Sequence, residues 1–171
     1  SDLKALNDIN RQLSQTDSNR EFIEIAADIL AGLPECRAVQ LVLIDDNRSM
    51  IDAVSVGPEK DCLPLIRHLR KGVWPACPER SLDQPEAVLS RLPNDRCESC
   101  PADEKCADRD RACIRLKYGD ALYGFIYLIL EENFPDAQDV RQLMNEISEN
   151  LSFALHAMLI RDQRRKADRK S

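Results

Sequence analysis

The order of helical and strand-like segments predicts an α+β domain built on an antiparallel sheet. Two pairs of β-rich segments each fold back over a short turn, which is the pattern of antiparallel hairpins. Helical patterns precede the first pair and follow the second. The chain has 171 residues, of which 43% are apolar and 32% are charged. This size and composition suit one domain with one hydrophobic core.

The amino-terminal part predicts two helices. Residues 2–15 carry a narrow apolar stripe, too narrow for a core helix but wide enough to meet a partner helix; it consists of Leu3, Leu6, Ile9 and Leu13. Ser18 and Glu21 then have the spacing of a capping box, with Ser18 as the N-cap. The helix that follows has a wide apolar face, made of Phe22, Ile23, Ala26, Ile29 and Leu30. Gly32 is placed to end it.

The middle of the chain predicts two hairpins with smaller elements between them. The predicted segments are, in order, strands 38–44 and 50–56, a short helix 63–69, a brief edge strand 87–89, and strands 112–118 and 122–130. Gly119 and Asp120 form a tight turn within the second hairpin. The strands of that hairpin are long and apolar enough to lie in the middle of the sheet.

A long helix is predicted after Asp136, which is placed to cap it. Six apolar residues are spaced 4, 3, 4, 3 and 4 apart, namely Val140, Met144, Ile147, Leu151, Ala154 and Met158. Their mean period of 3.5 residues is that of a heptad seam and predicts a homodimer through this helix. Leu143, Leu155 and Leu159 widen the stripe, so another side of the helix can cover the sheet. A single amphipathic core helix is the alternative, although the polar continuation 161–166 favours the dimer.

Composition and charge exclude several classes of function. The net charge of −6 argues against nucleic acid as the main partner, and the basic tail 161–170 is typical of a solvated helix face. No run of about 18 apolar residues and no secretion signal occur, so we expect a cytoplasmic segment without membrane contact of its own. A membrane anchor elsewhere in the protein stays open. The start at Ser1 and the end within a charged helix suggest a piece of a longer protein.

A polar segment rich in cysteine is the most distinctive feature of the chain. Residues 97–113 contain Cys97, Cys100, Cys106 and Cys113. The two-residue gap between Cys97 and Cys100 lets two thiolates converge on one metal ion. We expect Cys77, Cys97, Cys100 and Cys106 to form a metal site, with Cys113 as a substitute. Zinc or an iron–sulfur cluster would suit such ligands, although the gaps match no standard ferredoxin pattern.

Two other interpretations of these cysteines stay open. Lys105, Arg109 and Arg111 could lower the thiol pKa values and create a reversible disulfide switch. Alternatively, the cysteines are unpaired thiols in a surface loop. Cys36 and Cys62 lie beside apolar segments and are expected to pack in the core.

Two parts of the chain resemble a GAF domain. They are the hairpin 116–128 and the ending from Phe134 to Arg165, in which residues 151–156 lead into a connecting helix. Cys97, Cys100 and Pro101 form a Cys-x-x-Cys-Pro motif, which is similar to one found in some GAF domains that precede PAS and histidine kinase modules. The resemblance implies a GAF/PAS-like antiparallel sheet with the terminal helices on one face. On the other face it implies a ligand pocket, roofed by residues 57–111.

The resemblance also narrows the choice of ligand. No cysteine is followed by histidine, as bilin binding requires, and Asn133 to Asp136 lacks the lysine and glutamate of cyclic-nucleotide members. His68 could serve haem as an axial ligand, although a lone histidine is more often an ordinary polar side chain. Trp74 is expected to plug the pocket. Two alternatives for the ligand remain, namely a small metabolite or none at all.

The resulting expectation is a non-catalytic sensory module of a histidine kinase or PAS-containing regulator in a two-component system. It would dimerise through its terminal helices and sense a small ligand, a metal or a redox state near Cys77 and residues 97–113. We expect a linker and dimerisation helix at 1–17 and the sensory domain at 18–160. The final helix of that domain, 136–160, would also form the dimer interface. Residues 161–171 would begin a signalling helix to a downstream domain. The alternatives are a thiol-dependent methionine sulfoxide reductase of this fold and a purely structural dimerisation domain.

Overall fold

A five-stranded antiparallel sheet forms the centre of the molecule. The computed structural model describes residues 2–60, 64–90, 109–131 and 136–170, with side chains from residue 8 onward. The strands are β1 (Cys36–Ile44), β2 (Met50–Val56), β3 (Val88–Ser90), β4 (Arg111–Tyr118) and β5 (Ala121–Leu130). Their order across the sheet is β2-β1-β5-β4-β3. Both predicted hairpins are therefore confirmed, and the second one supplies two inner strands.

Five helices are found in the described part of the chain. They are α1 (Asp2–Leu13), α2 (Asn19–Ala31), α3 (Leu65–Arg70), α4 (Ala76–Leu82) and α5 (Ala137–Lys170). All but α4 were predicted from the sequence. Pro75 lies directly before α4 and suits a helix start, because the first turn leaves backbone N–H groups unpaired in any case.

The ends of the long helices follow the predicted capping residues. The Ser18 hydroxyl accepts a hydrogen bond from the backbone N–H of Glu21 at 3.2 Å. At the other end of α2, the N–H of Gly32 donates to backbone carbonyls of the last turn. The Asp136 carboxylate accepts from the N–H of Gln138 at 3.0 Å, which caps α5. Sequence alone therefore placed the start of both helices.

One side of the sheet, which we call the helix face, is covered by α1, α2 and α5. Alternate strand residues point to this side and are almost completely buried, including Val39, Leu41, Leu43, Ile114, Leu116, Ile126 and Leu128. Phe22, Ile23 and Leu30 of α2 pack against them with no exposed surface. Cys36 belongs to the same cluster, which confirms its predicted place in the core.

The other side of the sheet, the roof face, is covered by the short helices α3 and α4. The remaining strand residues form a second apolar cluster there, with Ala38, Val42, Ile44, Phe125 and Ile129. Leu65 and Leu69 of α3 and Leu82 of α4 close over it. The sheet thus separates two cores of different construction, because successive strand residues point to opposite sides.

A bulge in β5 determines which of its side chains reach each face. Leu116 pairs with Gly124 and Lys117 with Leu122, so Tyr123 is an extra residue on β5. Tyr123 therefore packs toward the helix face, while Leu122 and Phe125 on either side of the bulge pack toward the roof face. A Cβ atom at position 124 would lie 1.9 Å from the carbonyl oxygen of Val42, so the bulge requires glycine.

The predicted heptad seam of α5 is not available to a second chain. All six seam residues are buried within the chain, at most 8% exposed, and belong to the helix-face cluster. In this structure these residues pack against β4 and α1 of the same chain, and homodimerisation stays a prediction. The prediction that α1 is too narrow for a core helix is wrong, since Ile9 and Leu13 are buried in the same cluster.

Helix α5 continues well beyond this core. Its 34 residues correspond to a length of about 51 Å at 1.5 Å per residue. Arg161 donates to the carbonyl of Thr16 at 3.2 Å, and Arg165 pairs with Asp17 at 2.7 Å, so the continuation first follows the segment after α1. Residues 163–170 are exposed. None of the helices in the described ranges is long and apolar enough to span a membrane.

Candidate functional site

Polar and thiol groups converge on the roof face where α4, β3 and β4 meet. Cys77, in the first turn of α4, is partly buried, and its Sγ lies 3.4 Å from the hydroxyl of Ser90. Ser90 ends β3 and is paired with Arg111, the first residue of β4. The segment that contains the other predicted metal ligands joins these two residues. Cys77 therefore lies at the base of the cysteine-rich segment.

A second thiol on this face is fully buried. Cys113, on β4, has no exposed surface, and its Sγ donates to the hydroxyl of Ser81 at 3.3 Å. Ser81 in turn donates to the carbonyl of Pro78 at 2.7 Å. Burial raises the pKa of the Cys113 thiol far above its ordinary value, and the Ser81 hydrogen bond offsets only part of this effect. Cys113 is therefore a neutral thiol in the folded chain, whereas the less buried Cys77 is the more accessible of the two.

Arg111 and Tyr127 add two buried polar side chains beside the thiols. The two residues are only 4% and 3% exposed. Burial raises the pKa of the Tyr127 phenol, while the positive charge of Arg111 acts in the opposite direction. A guanidinium and a phenol inside an apolar cluster provide fixed donors on the roof face.

The two residues predicted to line a pocket are His68 on α3 and Trp74 just before α4. Trp74 packs on Phe125 with ring centroids 5.6 Å apart and is a partly buried member of the roof-face cluster. His68 lies on α3, where its Nδ1 is 2.8 Å from the carbonyl oxygen of Pro64. This contact uses one ring nitrogen for the local helix and leaves Nε2 as the nitrogen for any other partner.

An ion-pair network connects the chain after β2 with the chain before β4. Glu59, which follows β2, accepts from Arg109 at 2.9 Å and lies 3.6 Å from Arg37. The Glu59 side chain is only 14% exposed, so this pair is better shielded from water than a typical surface ion pair. Arg109, which was predicted to lower thiol pKa values, donates to the Glu59 carboxylate in the structure. This ion pair connects the chain just before β4 to the chain just after β2.

Three of the four predicted metal ligands, Cys97, Cys100 and Cys106, lie outside the described residues, as do Lys105 and Cys62. Among residues 2–60, 64–90, 109–131 and 136–170, no group of three or more His, Cys, Asp or Glu side chains is placed to hold a metal ion. The metal site stays a prediction.

Sequence reasoning missed several members of the roof-face cluster. Ser81 and Ser90 gave no signal because isolated serines are common on surfaces. Tyr127 offered a usable signal, since a tyrosine within the apolar run of β5 has to find a hydrogen-bond partner when buried. Helix α4, which presents Cys77, could have been found from Pro75 and Pro78, which suit the first turn of a helix.

Comparison with known proteins identifies the fold through structure and not through sequence. No family model matches the chain, and no curated protein matches it. Solved structures do match over nearly its whole length. They include the N-acylhomoserine lactone dependent LuxR-family transcription factor CepR2 of Burkholderia cenocepacia, with a TM-score of 0.65 and 17% identity over 95% of this chain and 97% of that chain.

Two GAF domains give similar agreement. The nlh2 GAF domain of A. aeolicus, in an inactive state, has a TM-score of 0.62 and 12% identity over 91% of this chain and 96% of that chain. The GAF domain of a phosphoenolpyruvate-protein phosphotransferase of Coxiella burnetii has a TM-score of 0.57 and 12% identity over 94% of this chain and 95% of that chain. The chain therefore has a GAF-type α+β fold, as the sequence predicted. Identities this low show the fold alone.

Proposed function

We propose that this chain is a non-catalytic sensory module of a larger signalling protein and that it receives its signal on the roof face at Cys77. The observation that carries the proposal is the position of this thiol. Cys77 is partly exposed and contacts Ser90, where the segment containing Cys97, Cys100 and Cys106 leaves the sheet. That segment returns at Arg111, the ladder partner of Ser90. A thiol at this junction can act together with the cysteines of the segment.

Two chemistries of these cysteines fit the proposal. In the first, Cys77 and the three cysteines of the segment bind zinc or an iron–sulfur cluster as thiolates, and binding stabilises the segment. In the second, two of these thiols form a disulfide when an oxidant such as peroxide takes up two electrons. Cys113 fits either role less well than Cys77, because its burial raises its pKa and keeps it a neutral thiol despite the opposite effect of the Ser81 hydrogen bond.

The side chains of the roof face also support binding of a small molecule as an alternative. Trp74 and Phe125 provide an apolar wall, and the buried Arg111 and Tyr127 provide polar groups that could orient a ligand. The transcription factor CepR2, which is similar in fold, is described as dependent on a small lactone. A small ligand is therefore the alternative signal at the same face.

Contacts between the second hairpin and α5 connect the sheet to the helix that would transmit the signal. The Ser148 hydroxyl of α5 donates to the carbonyl of Arg115 on β4 at 2.7 Å. On β5, the Tyr123 hydroxyl lies 2.6 Å from Nδ1 of His156. Since β4 and β5 also carry Cys113, Phe125 and Tyr127 on the roof face, a shift of either strand would move α5. This supports transmission to domains that follow α5.

Anaerobic purification with elemental analysis and an absorption spectrum tests the proposal. The variants are Cys77→Ser and the double change Cys97→Ser with Cys100→Ser, and Cys36→Ser on the helix face is the matched control. For a metal site we expect about one zinc per chain, or a broad iron–sulfur band, lost in both test variants and retained in the control.

The remaining outcomes separate the other signals. A metal-free chain whose free thiols disappear reversibly with peroxide, but not after Cys77→Ser, would support the redox signal. If neither occurs, a rise in Tm with small apolar ligands, abolished by Trp74→Ala, would support the pocket. Turnover of methionine sulfoxide with a thiol donor would contradict a non-catalytic module.

A further inference from the structure

A cluster of aromatic rings lies on the surface between the second hairpin and α5. Phe153 of α5 is 57% exposed and Tyr118 of β4 is 41% exposed. Their rings meet edge to face with centroids 5.9 Å apart, and Tyr118 stacks on His156 at 4.3 Å. The Tyr123 hydroxyl lies 2.6 Å from Nδ1 of His156. We call these four residues of β4, β5 and α5 the aromatic patch.

The patch continues along α5 as a second apolar stripe. Phe153, Ala157 and Ile160 are spaced 4 and 3 residues apart and therefore lie on one side of the helix. Ala157 and Ile160 are partly exposed, while the neighbouring Leu151, Leu155 and Met158 are buried against the sheet. Helix α5 thus has an inner stripe, which is the predicted seam, and an outer stripe, which carries Phe153.

Opposite charges lie at equal distances from the two ends of the outer stripe. Glu149 precedes Phe153 by four residues, and Arg164 follows Ile160 by four residues. Both side chains are exposed, and neither forms an ion pair with any residue that the structure describes. Around Arg164 the helix is strongly basic, with Arg161, Arg165 and Lys166 close by.

We propose that the outer stripe of α5 binds a second copy of this chain, with the two α5 helices antiparallel and crossing beside Ala157. A two-fold axis at this position places Phe153 of each copy against Ile160 of the other. It also places each Glu149 opposite Arg164 of the second copy. A parallel pair would instead bring the two basic ends of α5 together, which costs free energy. The small side chain of Ala157 allows the helices to approach closely.

The energetic centre of this interface is the aromatic patch. Exposed aromatic side chains at the middle of an interface contribute more than the surrounding contacts, because they bury a large apolar area with little loss of conformational freedom. Phe153 and Tyr118 have this position, and the charged residues lie at the rim. The proposal goes beyond the sensory function and holds whether the roof face binds a metal, a small ligand or nothing.

Sedimentation equilibrium of the chain over the micromolar to hundred-micromolar range tests the proposal. We expect a dimer for the unmodified chain and a rise in the dimer Kd of at least about tenfold for Phe153→Glu, because the charge cannot be buried at the interface. Ile51→Glu is the matched control, since Ile51 is 55% exposed on β2 away from the patch. Circular dichroism of each variant establishes that it is folded.

A charge exchange tests the antiparallel arrangement. Glu149→Arg and Arg164→Glu should each weaken the dimer, and the two changes together should restore it, because the exchanged charges again face their opposites. A parallel pair would instead leave each single change with little effect. A monomer throughout the concentration range, a dimer unaffected by Phe153→Glu, or a double variant without restored affinity would each overturn the proposal. None of these dimer affinities depends on a bound metal or ligand. Failure of the dimer proposal can therefore be distinguished from failure of the sensory proposal.

Discussion

The two faces of the sheet are built from the same strands but differ in what covers them. The helix face lies under α1, α2 and α5, and its cluster is almost entirely apolar. The roof face lies under α3 and α4, helices of six and seven residues, and its side chains include thiols, hydroxyls and a guanidinium. A single sheet can therefore separate a stabilising core from a chemically varied surface, because alternate residues of each strand belong to different environments.

The difference has an energetic consequence. Helices of six or seven residues are unstable alone, so α3 and α4 depend on the few apolar side chains that they bury. The long helices of the helix face bury many more, and their loss would unfold the domain. We therefore expect the roof face to open at a lower free energy than the helix face, which suits the side that responds to a signal.

The largest expected effect comes from the bulge that assigns β5 side chains to the two faces. In Gly124→Ala, the new Cβ would lie 1.9 Å from the Val42 carbonyl oxygen, so the central strands β1 and β5 would have to separate. We expect a loss of several kcal/mol, enough to leave little folded chain. Circular dichroism and urea denaturation would measure it.

Gly72→Ala is the control for this prediction. Gly72 also has a positive φ, of 78°, but no atom lies within 4 Å of the added Cβ. Only backbone strain is then introduced, and the expected cost is roughly 1–2 kcal/mol. Equal effects of the two substitutions would show that the close approach at Gly124 is unimportant.

Substitution of one methionine on each face allows a direct comparison of how the two faces are packed. Met144 of α5 is completely buried on the helix face, whereas Met50 of β2 is partly exposed beside the roof-face cluster. Met144→Ala should lower the free energy of unfolding by about 2–5 kcal/mol, because it leaves a cavity. Met50→Ala should cost about 1 kcal/mol, since part of its surface already contacts water. An equal loss in urea titrations of both variants would contradict the proposed difference between the faces.

The expected effect that develops only at high pH is a pH dependence of stability that arises from the roof face. Burial raises the pKa values of Cys113 and Tyr127 above their ordinary values near 9 and 10. Above these ordinary values the unfolded chain loses the protons while the folded chain keeps them. The free energy of unfolding should then fall by about 1.4 kcal/mol per pH unit for each group. Below about pH 8 both groups keep their protons in the folded and the unfolded chain, so neither should make stability depend on pH.

Urea titrations between pH 7.5 and 10.5 would measure this decline. Cys113→Ala should remove the part that begins near pH 9, and Tyr127→Phe the part that begins near pH 10. Cys36→Ala gives the matched change on the helix face. If the slope of stability against pH is the same in the unmodified chain and in both roof-face variants, these groups ionise as freely in the folded chain as in the unfolded one.

Much of the fold could be predicted because it depends on local patterns. Ser18 and Asp136 marked helix starts through hydrogen bonds within one turn, and the alternation of apolar residues marked the hairpins. Little of the roof face could be predicted. Its members Cys77, Ser90 and Tyr127 come from three separate elements, and nothing in their local sequence indicates that these elements meet.

The heptad spacing of α5 shows the limit of periodicity. Spacing determines which residues share a side of a helix, but it cannot tell whether that side meets a sheet or a second helix. The inner stripe packs on the chain's own sheet, and Phe153, which lies outside the predicted seam, carries the exposed apolar surface. The interface prediction therefore moves from the inner stripe to the outer one.

The sequence by itself determined the order of the elements, their caps, the antiparallel hairpins and the resemblance that indicated the fold. These features depend on interactions between near neighbours and on the period of the side chains. Only the tertiary structure decided which face each side chain occupies. The bulge at Tyr123 and Gly124 reverses the alternation of β5, and the backbone of β1 passes too close to position 124 for any residue but glycine. A glycine within a strand can indicate such an approach, but only the tertiary structure shows which segment comes close.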